Sequence, residues 1–277
     1  MASGVGLVVA IDKPVQWTSF QVVNKLKWHL KRTFGIKKIK IGHAGTLDPM
    51  ASGLLLVCVG SATKQIEQLQ SGIKVYSGTM VLGATTPCHD LEQAIDAYYP
   101  TKHIDKAALE AARQNFLGEI EQVPPIFSAV KVDGKRAYSS ARNGEDVEVK
   151  ARKVTISEFT ITAYREGTGN ESIPNIMFLV GRNAEPPARN LYLNPQGSVP
   201  GWLPQMDFHI VCSKGTYIRS IARDMGLELG SGAFLSALRR ERIGDYSVDN
   251  ALRPDDFETI ITPENPNFEV LKLLADA

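Results

Sequence analysis

Short apolar segments that are typical of β-strands alternate along this chain with segments whose apolar residues follow helical spacing. The clearest strand-like segments are Gly6–Ile11, Leu54–Val59 and Lys74–Leu82. The clearest helix begins at Thr18 or Ser19, has its apolar residues on one face, and ends before a glycine at position 35. This alternation predicts an α+β fold with a mixed, mainly antiparallel sheet flanked by helices.

Weaker signals extend this prediction along the rest of the chain. They predict strands at Ile39–Ile41, between Val147 and Tyr164, and at Phe208–Cys212, helices at Ala62–Leu69, 105–117 and Thr216–Leu229, a hairpin turn at Asp133-Gly134, and terminal helical segments at Pro254–Ile260 and Phe268–Ala275. Residues 165–206 are rich in Gly, Pro and Asn and lack periodicity, which predicts a surface insertion. We expect one domain over residues 1–250 and a short C-terminal tail over 251–277.

Composition favours a cytoplasmic globular protein. Hydrophobic residues make up 43% of the 277 residues, no apolar run is long enough to cross a membrane, and no basic segment precedes the first one as a secretory signal would require. The three cysteines, Cys58, Cys88 and Cys212, are far apart and form no Cys-x-x-Cys pair. We therefore expect them to be small core residues, not zinc ligands or redox groups.

The net charge of +1 conceals two basic segments. Residues 1–64 hold nine lysines and arginines against two aspartates, and residues 208–242 hold six against three acidic residues. The two segments could form one electropositive face for a phosphate backbone. A solvated surface balanced by distant carboxylates is an equally good interpretation of the charge alone.

Residues 42–49, GHAGTLDP, form the most informative loop. Its two glycines permit a tight turn beside a ligand, and Pro49 restricts the backbone of Asp48. Because apolar segments flank the loop, this acid would be presented from the edge of a core, as catalytic carboxylates often are. The alternative for an isolated Asp-Pro pair is a turn residue without chemistry.

The wider pattern resembles the TruB-type tRNA pseudouridine(55) synthases. The residues that carry the resemblance are GHAGTLDP at 42–49 with Ala62-Thr63-Lys64, Asp12-Lys13-Pro14, Lys74-Val75-Tyr76, PPIFSA at 124–129, CSKGTYIRS at 212–220 and Leu238-Arg239-Arg240. These blocks occur in the family's order over roughly residues 10–245. The resemblance implies a pseudouridine synthase-like catalytic domain.

The resemblance also implies an activity and its residues. A uridine in the T-loop of tRNA, at position 55, would be flipped out and isomerised to pseudouridine without a cofactor or metal, because no net redox change or hydrolysis occurs. Asp48 would act either as a nucleophile at C1′ or as the base that removes a 2′ proton, Arg219 would pair with it, and Tyr76 would stack on the uracil. Substrate-binding roles fall to His43, Lys64, Lys214, Tyr217 and Leu238. We expect a monomer that needs no protein partner and no membrane.

The sequence departs from the family pattern at several points. Gln16 stands where the family has glycine, Cys88 and Gln93 replace a threonine and a glycine, and Phe234 replaces a histidine. We expect no RNA-binding PUA domain of the kind that many relatives carry, because only 27 residues follow Asn250, and this would leave phosphate binding to the basic segments. Rival interpretations are a catalytically silent tRNA-binding chaperone on the same fold and a guide-RNA-dependent synthase. A nucleotide hydrolase is disfavoured because no P-loop occurs.

Overall fold

The protein is described here as a computed structural model, which covers residues 6–128, 131–132, 135–136, 149–168 and 199–271. Its strands are β1 Gly6–Lys13, β2 Ile41–His43, β3 Ala51–Gly60, β4 Lys74–Leu82, β5 Ala84–Thr85, β6 Ala97–Tyr98, β7 Gly118–Gln122, β8 Lys131–Val132, β9 Lys135–Arg136, β10 Arg152–Arg165, β11 Gln205–Cys212, β12 Ala233–Ile243 and β13 Tyr246–Ser247. Its α-helices are α1 Ser19–Phe34, α2 Ile66–Ser71, α3 Lys106–Gln114, α4 Ile218–Glu228 and α5 Phe257–Ile260, and short 3-10 helices lie at Ser61–Gln65, Val248–Asn250, Pro254–Asp256 and Pro266–Leu271. No helix in these ranges is long and apolar enough to cross a membrane.

The chain forms two compact units, which are described separately. Unit 1 comprises residues 1–76 and 238–277, and unit 2 comprises residues 77–237. The predicted domain boundary at residue 250 stays a prediction. The segment that follows it packs into unit 1. There Leu252 bridges to Ile11 in β1, and Phe257, Ile261 and Phe268 are buried in the core.

Strand β3 lies at the centre of unit 1. It pairs in antiparallel fashion with β1, from Gly6 opposite Gly60 to Lys13 opposite Gly53, and with β2. Strand β12 pairs with the beginning of β3 in parallel, with Leu238 opposite Ala51. This parallel pair in an otherwise antiparallel set makes the sheet mixed, as the sequence predicted.

Helix α1 covers the core of unit 1. Thr18 and Gln21 form a capping box at its N-terminus, and Gly35 ends it with a left-handed backbone at φ 66°. Both ends agree with the sequence prediction. The buried stripe of α1, which includes Val22, Leu26 and Leu30, packs on Ile11, Leu55 and Val57 of the strands and on Phe257 of α5.

Unit 2 contains strands in the order β4, β11, β10, β7, in which β10 pairs antiparallel with both β11 and β7. Edge-to-face contacts join Phe159 of β10 to Phe116 and to Phe208 of β11, with ring centroids 6.0 and 6.3 Å apart. Helix α4 contributes buried residues along its length, including Ile218, Ile221 and Met225. Cys88 and Cys212 of this unit and Cys58 of unit 1 are free and buried, so the prediction of core cysteines is confirmed.

Several predicted bounds of helices and strands are wrong, and strand pairing accounts for two of the differences. The strand expected at Ile39–Ile41 is β2 at Ile41–His43, because its partners are residues 57–59 of β3. The region between Val147 and Tyr164 contains one long strand, β10, which β7 and β11 hold from both sides. The helix expected at Ala62–Leu69 is a 3-10 turn followed by the short α2.

The predicted surface insertion and hairpin lie partly outside the described residues. Strand β10 ends at Arg165 and β11 begins at Gln205, so the last two residues of the predicted 165–206 segment belong to a strand, while residues 169–198 are outside the description. The turn predicted at Asp133-Gly134 is also outside it. The flanking strands β8 and β9 pair antiparallel, as a hairpin requires.

Candidate active site

The loop that carries Asp48 connects β2 to β3 in unit 1, and three backbone hydrogen bonds shape it. The Ala44 N–H donates to Leu56 O over 2.8 Å at its start, the Ala51 N–H donates to Asp48 O over 3.1 Å, and the Gln16 N–H donates to Pro49 O over 2.7 Å. Gly45 has a φ of 99°, a backbone conformation that residues other than glycine rarely adopt. The loop is therefore a fixed turn, and Asp48 is half-buried within it.

Two buried side chains hold the loop from opposite ends of the sequence. The hydroxyl of Ser19, at the start of α1, accepts from the Leu47 N–H over 2.9 Å and donates to Leu47 O over 3.1 Å. The guanidinium of Arg240, in β12, donates to Leu54 O over 2.8 Å, to Gly45 O over 3.1 Å and to Thr46 O over 3.4 Å. Only 2% of Arg240 is exposed, so these bonds are shielded from water.

Arg240 lies opposite Gly53 where β12 pairs with β3. Gly53 has a φ of 100°, and a Cβ atom built on it would lie 2.3 Å from the Arg240 carbonyl oxygen. A glycine is therefore required at this point, both by the backbone angle and by the contact.

Lys13 is a buried cation beside Asp48. Its side chain has no exposed surface, and its Nζ donates to Trp17 O over 2.6 Å and to Pro14 O over 2.9 Å. Burial lowers the pKa of Lys13 to about 8, the Asp48 carboxylate opposes that change, and Arg240 adds to it. Lys13 is therefore still mainly protonated at neutral pH, and its charge balances that of Asp48.

The other predicted residues of unit 1 differ in their distance from Asp48. His43 lies at the end of β2, directly before the loop, and Leu238 pairs with Ala51 directly after it. Tyr76 lies in β4 and is 8% exposed. Lys64 is exposed and follows the opposite end of β3, about 30 Å along the strand from the loop, so the structure does not bring it to Asp48.

His43 is in a setting that keeps its imidazole neutral. Burial lowers the pKa of His43, the Arg240 charge lowers it further, and contact with the Gly45 backbone partly offsets both. A neutral ring at physiological pH suits a packing or wedging contact with a base.

In unit 2, Arg219 is held by a buried ion pair and two carbonyl groups. Its Nε lies 3.7 Å from Asp90 Oδ2, and its terminal nitrogens donate to Cys88 O over 3.0 Å and to Phe127 O over 2.9 Å. Only 4% of Arg219 is exposed. The alternative that Arg219 is an ordinary surface charge of α4 is therefore wrong.

Cys88, which stands where the family has threonine, is a hydrogen-bond partner of Asp90. The Cys88 thiol donates to Asp90 Oδ1 over 2.9 Å, and the Glu92 N–H donates to the same oxygen over 2.9 Å. Burial, with the nearby Asp90 charge, raises the pKa of the Cys88 thiol to about 12. The thiol thus stays protonated and serves as a hydrogen-bond donor to the carboxylate that fixes Arg219.

The turn before α4 is shaped by Gln122 and Arg152, which the sequence did not reveal. Gln122 accepts from the Tyr217 N–H over 2.7 Å and donates to Tyr217 O over 3.1 Å. The Arg152 guanidinium covers the Tyr217 ring at 4.5 Å and donates to Gly215 O. Tyr217 is half-buried and Lys214 is exposed. The Tyr217 N–H is thus already bonded, so a phosphate at this turn would have to use other groups.

Among the site residues that sequence reasoning missed, Lys13, Ser19 and Arg240 lie closest to the chemistry. Lys13 and Arg240 were within the quoted motif blocks, where a charge inside a strand of otherwise buried residues was the available signal. In the described ranges, no cluster of three or more histidine, cysteine or acidic side chains has the arrangement of a metal site.

Comparison with known proteins identifies the family to which this chain belongs. Residues 31–178 match the model of the TruB family pseudouridylate synthase N-terminal domain. The tRNA pseudouridine synthase B of Phocaeicola vulgatus is 47% identical over 91% of this chain and 92% of its own length, and that of Flavobacterium johnsoniae is 48% identical over 89% and 92%. The chain belongs to the TruB family of pseudouridylate synthases.

Solved structures support the fold. The crystal structure of a Cbf5-Nop10-Gar1 complex contains a chain that superposes with a TM-score of 0.57 at 23% identity, over 96% of this chain. This chain spans 58% of the length of that one. An archaeal box H/ACA sRNP Nop10-Cbf5 complex gives a TM-score of 0.56 at 21% identity. At such identities the likeness shows a shared α+β fold.

Proposed function

We propose that this chain converts a specific uridine of tRNA to pseudouridine, at position 55 in the T-loop. Family membership and relatives named tRNA pseudouridine synthase B that match along nearly their whole length support the activity. The observation that carries it is the Asp48 loop, whose backbone is fixed by Ser19 and Arg240 and whose carboxylate is balanced by buried Lys13.

The main requirement that the reaction places on the protein is a correctly positioned carboxylate. The bond between C1′ and N1 of the nucleotide breaks, the uracil turns, and C5 bonds to C1′ while its proton moves to N1, so atoms and electrons balance without a cofactor. Asp48 serves as the nucleophile at C1′ or as the base at C2′. A rigid loop favours either route, because the carboxylate need not reorganise when the uridine arrives.

The other predicted site residues have supporting roles in this proposal. Tyr76 stacks on the uracil, Arg219 pairs with Asp48, and Leu238, Tyr217 and His43 contact the flipped nucleotide or its neighbours. Lys64 and Lys214 are exposed and bind phosphates of the RNA backbone. The pairing of Arg219 with Asp48 stays a prediction that a double-mutant cycle on kcat would test.

Tritium release distinguishes catalysis from the rival of a silent RNA chaperone. Transcribed tRNA that carries [5-³H]uridine is incubated with the purified chain, and a synthase releases tritium because C5 loses its hydrogen. Mapping of the modified nucleotide then tests position 55. RNA binding without any tritium release would instead support the chaperone.

Tyr76 offers a prediction that separates stacking from proton transfer. Tyr76→Phe keeps the ring and removes the hydroxyl, so we expect it to be the milder change, within a few-fold of wild type. Tyr76→Ala removes the stacking surface and should lower kcat/KM by about 10-fold or more. Tritium release under single-turnover conditions measures both, and the reverse order would reject stacking as the main role.

Salt dependence tests the use of the basic segments. We expect tRNA affinity to fall steeply between 50 and 200 mM salt, with a slope of log K against log salt of about −4 or steeper if five or more phosphates are bound. Filter binding at four salt concentrations gives this slope. A slope near zero would contradict the electropositive face.

We also propose that the chain acts alone, as a monomer in the cytoplasm. Sedimentation of the purified chain gives its oligomeric state, and tritium release from tRNA by that same sample tests its independence from a guide RNA or protein. A requirement for either addition would favour the guide-dependent rival.

A further inference from the structure

Helix α1 presents an exposed face whose composition is unusual. Residues at helical spacing along its outer side are basic, aromatic or amide-bearing, and we call this surface the α1 basic face: Phe20, Asn24, Lys27, Trp28, Lys31 and Arg32. Phe20 is 69% exposed and Trp28 is 55% exposed. Large aromatic side chains on the outer side of a well-packed helix lose the benefit of burial, so a ligand is one reason for them to be there.

Charge identifies the kind of ligand. Helix α1 contains four lysines and arginines and no acidic residue. Lys25 is the one turned toward the protein, since it pairs with Asp255 over 3.0 Å and lies over the Trp17 ring. Lys27, Lys31 and Arg32 are exposed, and the Arg32 guanidinium lies 5.2 Å from the centre of the Trp28 ring. Exposed cations interleaved with aromatic rings are the combination that binds unpaired nucleic acid.

The face begins at the candidate active site. Ser19, whose hydroxyl holds Leu47 of the Asp48 loop, precedes Phe20 directly. From there the helix carries Trp28 about 12 Å and Arg32 about 18 Å along its axis beyond Phe20. An RNA whose uridine lies at Asp48 can therefore continue onto this surface without leaving unit 1.

We propose that the α1 basic face binds unpaired nucleotides of the substrate RNA that adjoin the target uridine. This inference rests on the proposed function and adds a binding surface to it. Lys27, Lys31 and Arg32 bind backbone phosphates, and Trp28 and Phe20 stack on exposed bases. A solvated face with no partner would explain the lysines but not the two exposed rings, and a protein partner is disfavoured because protein–protein interfaces are depleted in lysine.

Three variants test the surface by two readouts, the Kd for tRNA and its dependence on salt. Trp28→Ala should raise the Kd for transcribed tRNA about 10-fold, because base stacking on that ring is lost, and Trp28→Phe should retain most of the affinity. The double variant Lys27→Gln/Lys31→Gln should make the slope of log K against log salt shallower by about 1.5, since two phosphate contacts are removed. All side chains involved are exposed, so thermal unfolding should stay near that of wild type.

The matched control removes two lysines from another surface. Lys106 is the first residue of α3 and Lys102 precedes it by four positions, and both are exposed. Lys102→Gln/Lys106→Gln changes the net charge equally and should leave both the Kd and the slope unchanged. If Trp28→Ala and the α1 double variant bind tRNA as this control does, the face does not bind substrate RNA and the inference is overturned. Failure of the proposed function is a separate outcome, namely no tritium release from any tRNA by the wild-type chain.

Discussion

Replacing Asp48 with asparagine is expected to abolish pseudouridine formation while leaving the protein folded. The substitution keeps the size of the side chain and removes the negative charge that a nucleophile or a base requires. The loss should exceed about 1,000-fold, because no other group in the loop can perform the step. Single-turnover tritium release from [5-³H]uridine-labelled tRNA measures it, with the site of modification mapped in parallel.

Asp245→Asn is the matched control for this experiment. Asp245 is exposed in the turn between β12 and β13, and its substitution should leave turnover unchanged. The Asp48 variant should still bind tRNA, since its loop is held through backbone atoms. Appreciable turnover by Asp48→Asn, with folding and binding intact, would reject Asp48 as the catalytic residue.

Replacing Arg240 with methionine is expected to impair both stability and turnover. Three carbonyl groups of the chain, at Gly45, Thr46 and Leu54, would lose a charged donor inside the protein. Buried acceptors left without a partner cost about 1–3 kcal/mol each at most, so we expect a loss of about 3 kcal/mol in the free energy of unfolding. Urea denaturation measures that loss.

Turnover distinguishes a positioning role from a merely structural one. At a temperature where Arg240→Met is fully folded, kcat at saturating tRNA should fall about 100-fold, because the Asp48 carboxylate is displaced from its productive position. Arg240→Lys retains the charge but not the planar guanidinium, so its kcat should lie between those of wild type and Arg240→Met. Arg242→Met, two residues along β12 and exposed, should leave the free energy of unfolding unchanged. A normal kcat in folded Arg240→Met would show that the loop keeps its shape without the guanidinium.

Local signals in the sequence were sufficient for much of the fold. The ends of α1 are set by Thr18, Gln21 and Gly35, because capping depends on residues within four positions of the helix end. Strand β4 has the predicted bounds, and Asp48 lies on the predicted loop. The match of motif blocks supplied the family, which periodicity alone would not have given.

Contacts between distant parts of the chain could not be predicted in this way. Arg240 reaches Gly45 across 195 positions, and Arg239 forms a bidentate pair with Asp12, at 2.9 Å for both bonds, across 227 positions. Burial of Lys13 likewise depends on which segments pack around it. A pattern read within a short window contains no information on such pairs, so the residues that fix the loop were overlooked.

Backbone geometry shows why the family has glycine at the position of Gln16. Gln16 stands where the family has glycine, and its φ is 68° in the structure. A side chain in this left-handed region costs about 1–2 kcal/mol. The Gln16 N–H is retained in its bond to Pro49 O, so the loop keeps this contact at the expense of some local strain.

The guanidinium that completes the Asp48 loop belongs to one of the last strands of the chain. During synthesis on the ribosome, the acid is translated long before Arg240, which follows Thr46 by 194 positions. At about 5–20 residues per second, that interval is on the order of 10–40 s. A nascent chain of 200 residues would thus contain the carboxylate without the guanidinium that holds its loop, and the loop can be completed only after Arg240 has been translated.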